Sequence, residues 1–228
     1  MPRYSLPSHV HFCVTEGGAV FLDLRRDSYI GIGTAQIPAI RTLMNGSSEQ
    51  PEHVELVRSL LERGLITDRC EGSRPLAPPS LVPATAVLAN VYEERKVHIK
   101  YHHVIAFISA YLKTSITLRC ISLERVVARV RNRKSRYARN CSSFDYDHAR
   151  ELIDIFRVVR PWVYVPEGKC LFNSLVLAEF LSHYEIYPTW VIAVRTKPFR
   201  AHSWLQSGEF LFNDEPGFSG AYTPILSV

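Results

Sequence analysis

Apolar residues recur at every second position through the first part of the chain and at helical spacing through its middle. Val10, Phe12 and Val14 alternate with polar neighbours, as do Val20, Leu22 and Leu24, and then Ile30 and Ile32. Gly17-Gly18 and Arg25-Arg26-Asp27 supply turns between these runs, which predicts a three-stranded antiparallel meander. The period then changes. A short helix is expected over residues 35–44, closed by Asn45-Gly46. Pro51 can open a second helix at its first position and Gly64 can end it, with Val54, Val57 and Leu61 on one apolar stripe. Leu65-Ile66-Thr67 reads as a short terminal strand or wing. From Glu71 to Pro83 the prolines Pro75, Pro78, Pro79 and Pro83 disfavour helix and predict an extended linker.

Beyond the linker, helical spacing predicts helices over 98–113, 122–134 and 147–159. A further helix opens near Cys170 and runs to about residue 183. Eight of the eleven residues from Leu171 to Leu181 are apolar, so this helix should be buried on most sides. Alternation and β-branching return over 189–194, 201–206 and 209–213, with a tight hairpin expected at Ser207-Gly208. The fold class expected is α+β, with a small N-terminal part and a larger C-terminal one.

Composition narrows the picture. A chain of 228 residues with 46% hydrophobic and 21% charged residues suits a globular protein of one large or two small domains. No apolar segment near the N-terminus resembles a secretion signal, and the longest apolar stretch, 104–112, is too short to span a bilayer. A cytoplasmic protein with no membrane span is therefore expected. Its five cysteines are odd in number and lack C-x-x-C spacing, which argues against a disulfide framework and a zinc site. The adjacent His102 and His103 point in different directions on a helix, so no metal is expected there. No phosphate-binding G-x-x-x-x-G-K-[ST] loop is present, and no cofactor is expected. Between Arg119 and Arg139 eight basic residues stand against the single acid Glu124. Such a run suits an anionic partner or a solvated helix face, and no nucleic-acid-binding motif accompanies it.

The candidate chemistry lies at Cys170. A thiol at a helix N-terminus feels the positive end of the helix dipole, which favours the thiolate. A nucleophile needs a base, and the base an orienter. His202 begins a strand and Asp214 follows that strand's hairpin partner, so the two can approach if a register slip or bulge turns them to one face. The order helix-Cys, strand-His, strand-Asp is that of papain and transglutaminase-like architectures. Taken alone, each residue has a plainer reading: a buried cysteine is commonly a small hydrophobe and a lone histidine structural.

Longer motifs add to this. Gly168-Lys-Cys-Leu171, then Ala193-Val-Arg-Thr-Lys-Pro-Phe-Arg-Ala-His-Ser-Trp204, then Phe212-Asn-Asp214 resemble the C-terminal domain of the lasso-peptide B proteins, microcin-processing cysteine proteases. The resemblance implies a catalytic triad of Cys170, His202 and Asp214. It also implies hydrolysis of the leader–core bond of a ribosomally made precursor, whose freed core passes to a separate ATP-dependent macrolactam synthetase. Gly18-Ala-Val-Phe-Leu-Asp-Leu with Tyr29, and later Leu61-Glu-Arg-Gly-Leu-Ile66, resemble the winged-helix peptide-recognition domain of the pyrroloquinoline quinone biosynthesis chaperone. That implies a leader peptide added to the edge strand at Tyr29, Ile30, Gly31 and Ile32 and packed on Val54, Val57, Arg58 and Leu61. The plainer alternative is a small domain that only caps the rest. The division expected is a leader-recognition domain over 1–74, a linker over 75–83 and a papain- or transglutaminase-like cysteine protease domain over 84–228. An acyltransferase sharing the triad and a non-catalytic adaptor are the competing functions.

Overall fold

A computed structural model describes residues 4–45, 54–69, 72–89, 97–137, 144–165 and 167–228. The chain opens with β1 (Ser5–Pro7), followed by β2 (Val10–Thr15), β3 (Gly18–Asp23) and β4 (Ser28–Ile32). The last three form the expected antiparallel meander, in which Phe21 of β3 stands opposite Phe12 of β2 and Ile30 of β4. Gly18 has φ 138°, and a Cβ there would lie 2.0 Å from the Ile32 carbonyl oxygen, so only glycine fits.

A 3-10 turn at Thr34–Gln36 leads into α1 (Ile37–Met44). Next comes α2 (Val54–Glu62). Gly64, at φ 69°, ends α2 as expected: its N–H bonds Leu61 O and the Leu65 N–H bonds Leu60 O. Gly46 and Pro51 lie outside the described residues. The strand expected at Leu65-Ile66-Thr67 does not form. Leu65 and Ile66 are buried in the N-terminal core, and only Thr67 pairs, exchanging two 2.8 Å backbone bonds with Ser5. The apolar side chains there fill a core instead of lining a ladder.

β5 (Ser73–Pro75) pairs antiparallel with β1, and β6 (Ala86–Val87) pairs parallel with a strand far along the chain. The proline-rich stretch between them is tied down. Val82 O accepts a bond from Gln206 Nε2, and Leu81 and Ala84 pack against the cluster of Trp204, Leu211 and Tyr222.

Four helices follow: α3 (Tyr101–Cys120), α4 (Leu123–Tyr137), α5 (Tyr146–Val159) and α6 (Cys170–Ser182). The first runs past its expected end at 113. Thr114 is buried there, so packing overrides the weak helix propensity of Thr114, Ile116 and Thr117. The chain ends with β7 (Thr189–Thr196), β8 (Phe199–Ser207), β9 (Phe210–Leu211), the short α7 (Pro216–Ser219) and β10 (Thr223–Ser227). These strands and β6 form one sheet in the order β10-β7-β8-β9-β6. The β8–β9 turn is Gly208-Glu209, one residue later than expected, with Ser207 opposite Phe210 and Gly208 at φ 54°.

Helix α6 is apolar on most sides because both its sides are covered. It packs on β7 and β8 on one side and on α3 and α5 on the other, where Phe107, Phe156 and Phe180 meet. The N-terminal sheet is covered on both faces too. Ala19 and Phe21 of β3 enter a core shared with Ile40, Val57 and Leu60. Val20 and Leu22, with Cys13, Leu24 and α6, enter the main core.

Candidate active site

Cys170 is the first residue of α6, placed there by Gly168 at φ 69° and by Lys169, whose backbone is not helical. Pro166 lies outside the described residues. The first N–H groups of a helix lack partners within it, so the backbone N–H of Cys170 can face a developing anion. The His202 imidazole and the backbone N–H groups of Leu171 and Ser203 all favour the anionic form of the Cys170 thiol. His202 is held in turn by Asp214, with 2.8 Å between Nε2 and Oδ2. This leaves Nδ1 as the ring nitrogen available to Cys170. Cys170 and His202 line one cleft, and Asp214 is bonded to His202, so the fold brings the three residues to one place.

The electrostatics match. The His202 hydrogen bond is the largest influence on Cys170 and outweighs burial, holding the thiol below its ordinary value. Burial disfavours charge on His202, but its bonds to Asp214 and Cys170 prevail and push it up to about 9. Both shifts favour a thiolate–imidazolium pair near neutrality. Cys13 shows the opposite case, for burial without a partner pushes its thiol up to about 12. Cys120 is exposed at the end of α3, and Cys70 and Cys141 lie outside the described residues.

Asp214 does not reach His202 by ladder pairing, since β9 ends at Leu211. Beyond it Phe212 N–H bonds Leu205 O at 3.0 Å, and Asn213 Oδ1 accepts from Leu205 N–H at 2.8 Å. The Asn213 side chain thus replaces a backbone partner and turns Asp214 beneath the imidazole. Rings of Phe218, Tyr222 and Trp204 surround His202, at centroid distances of 4.9, 5.2 and 5.8 Å. The site opens into a cleft of about 570 Å³ bordered by Glu167, Asn173, Arg160 and Arg200.

A buried knot, which nothing in the sequence pattern announces, holds the elements that carry Cys170 and His202 together. Trp190 Nε1 on β7 donates to Ser203 Oγ at 2.7 Å and to Ser174 Oγ at 3.0 Å, and the two hydroxyls stand 2.9 Å apart. Ser174 lies one helical turn after Cys170 and Ser203 follows His202, so this triangle fixes their separation.

The residues expected to meet a leader are spread over two elements. Tyr29, Ile30, Gly31 and Ile32 lie on β4, which among the described residues has a strand neighbour on one side only. On α2, Val54, Arg58 and Leu61 are exposed, whereas Val57 is buried at 4% exposure. Val57 is a correction to the expectation: it is core and offers no contact surface. Tyr29 also meets the C-terminal sheet. Its ring meets Phe199 of β8 at 5.4 Å. Burial, then the negative charges of Asp27 and Cys170, pushes its phenol up to about 12.

Among the described residues no metal-binding cluster is found, and no helix is long and apolar enough to cross a membrane. No curated protein and no solved structure matches the chain. A family model described as the transglutaminase-like superfamily matches residues 110–227, a span that contains Cys170, His202 and Asp214 and more than half of the chain. The chain belongs to the transglutaminase-like superfamily.

Proposed function

We propose that this protein is a cytoplasmic leader peptidase of lasso-peptide maturation, with a papain-like Cys-His-Asp centre at Cys170, His202 and Asp214. The observation that carries the reading is the connected geometry of these three groups, with the thiol lowered and the imidazole raised. Cys170 attacks the carbonyl of the leader–core bond as a thiolate. The resulting oxyanion takes bonds from N–H groups at the start of α6. His202 gives its proton to the leaving amine of the core, and water then releases the leader from the acyl-enzyme, with the proton returning to His202. Residues 1–74 are read as a winged-helix leader-recognition unit in which the leader adds a strand to β4, 75–83 as the connection and 84–228 as the protease unit. The amine so freed suits an ATP-dependent macrolactam synthetase as the next enzyme.

An acyltransferase would share every step up to the acyl-enzyme and differ only in passing it to an amine. Mass spectrometry of a leader–core precursor incubated with the chain separates the readings. Hydrolysis yields two fragments whose masses sum to the precursor plus one water. An adduct with an added amine points to acyl transfer, and unchanged precursor under conditions where it binds points to an adaptor.

A further inference from the structure

Helix α3 is apolar on the face that it buries and also on the face that it exposes. Tyr101, Val104, Ile105, Ile108, Leu112 and Ile116 follow one another at helical spacing on its outer side, with Ile105 63%, Leu112 52% and Ile116 61% exposed. They form a strip about 22 Å long at 1.5 Å per residue. Exposed apolar groups on a monomer are usually scattered, and a contiguous strip marks a surface that is covered in use. What covers it is indicated by charge. α3 contains no Asp or Glu. Lys113 and Thr117, the helical neighbours of Leu112 and Ile116, face Arg129 and Arg133 of α4 across a shared cavity. The acid in that cavity, Glu179, is already paired with both Lys113 and Arg133. Arg119, Arg125 and Arg129 remain exposed. Trp162 is 88% exposed on a turn joined to the middle of α3, where Tyr164 stacks on Tyr111 at 5.6 Å.

We propose that the α3 strip, with its basic flank on α4, docks on an anionic lipid bilayer, lying in the interface without crossing it. Bulky aliphatic side chains beside arginines, with an exposed tryptophan near them, are the chemistry of helices that rest at the headgroup level. A second copy of the chain is a poorer occupant, because two such faces would bring like-charged flanks together. The inference is independent of the peptidase reading.

The test uses the full chain and sedimentation with vesicles of phosphatidylcholine alone or in equal parts with phosphatidylglycerol. Binding is expected to the mixed vesicles, to weaken with added salt, and to be at least about tenfold weaker to the neutral ones. The fluorescence of Trp162 should shift to the blue on binding, since Trp190 and Trp204 are already buried. Ile105→Glu with Ile108→Glu should reduce vesicle binding at least about tenfold. Arg119→Ser with Arg129→Ser should cost about fivefold per residue. Iodoacetamide labelling of Cys170 serves as the fold control and should be unchanged in both variants. Leu112→Ser provides a second test of the strip should the double glutamate variant fail to fold. Failure of the wild type to bind mixed vesicles at low salt overturns the proposal. So does binding that survives loss of the strip, or a wild-type dimer in solution that Ile105→Glu with Ile108→Glu dissociates.

Discussion

Cys13 is buried in the main core and Cys170 stands half-buried at the start of α6; they differ in chemistry because only Cys170 has the His202 imidazole beside it. Cys170→Ala should lower precursor cleavage at least about 1,000-fold while leaving precursor binding intact, since a nucleophile and its base act as a unit. Near wild-type turnover of this variant, measured by fragment appearance, would remove Cys170 from the mechanism. The pH dependence follows from the same two shifts. Below the lowered Cys170 value the thiol is protonated and cannot attack; above about 9 His202 has lost the proton that the leaving amine needs. The profile of kcat/KM should be bell-shaped, with its alkaline limb near 9. Asp214→Asn removes the charge that helps raise His202, so the alkaline limb should move down by about a unit or more. An alkaline limb unmoved in Asp214→Asn would show that Asp214 does not govern the imidazole. These residues were legible in the sequence because each sits in a local motif. Tyr29 and Phe199 were not recognised as neighbours, since a contact between distant strands leaves no local trace.

The elements themselves were readable wherever burial follows one face. The meander, α6 and the β7–β8 pair appear with ends close to those expected from alternation or helical spacing. Two-residue strands such as β6, and the parallel pairing of Ala86-Val87 with Phe210-Leu211, are too short to carry a period. The one-residue shift of the β8–β9 turn arises because Gly208 takes φ 54° as the first turn residue, which leaves Ser207 in the ladder. With that turn, Asp214 depends on the side chain of Asn213 to approach His202. The Trp190–Ser174–Ser203 knot has the largest consequence at this scale, since it locks the start of α6 to β8 in the buried core. Trp190→Phe removes the N–H that reaches both hydroxyls and leaves a small cavity where the second ring of the indole stood. Loss of such buried hydrogen bonds should cost about 1–3 kcal/mol, and a slight parting of Cys170 from His202 should lower turnover about ten- to a hundredfold. Thermal unfolding and kcat measured on the same preparation check this. A lowered melting temperature with unchanged kcat would assign the knot to stability alone.

In the whole molecule the N-terminal sheet and the layer that carries Cys170 share one core, which the proline-rich stretch at 75–83 does not suggest. A strand reading of β3 assigns its alternate residues to one buried and one exposed face, yet all six are buried. Val20 and Leu22 meet the catalytic half, and only the presence of that half explains why they are apolar. Thr15 Oγ1 stands 3.1 Å from Thr196 Oγ1, and Arg25 on the N-terminal side pairs with Glu124 of α4 at 3.1 Å. The closest approach is at Gly17, where a Cβ would lie 2.2 Å from Thr196 Oγ1 and 2.8 Å from Thr196 Cβ. Rotating the threonine moves its Oγ1 but not its Cβ, so any side chain at 17 must push the β2–β3 turn away from β7. Thr196 ends β7 opposite Phe199, the residue that contacts Tyr29, so the displacement reaches the join between β4 and the catalytic cleft. Gly17→Val should therefore cost about 1–3 kcal/mol of stability, as overpacking in a tight contact does. For a chain of this size each kcal/mol corresponds to about 2–4 °C in Tm. The triad is not touched, so iodoacetamide should still label Cys170 at close to the wild-type rate. Cleavage of a full leader–core precursor should fall through a raised KM, because the added strand on β4 would no longer be aligned with the cleft. A variant with wild-type Tm and KM would mean that the two halves yield at this contact without consequence, and that substrate alignment depends on neither Gly17 nor Thr196.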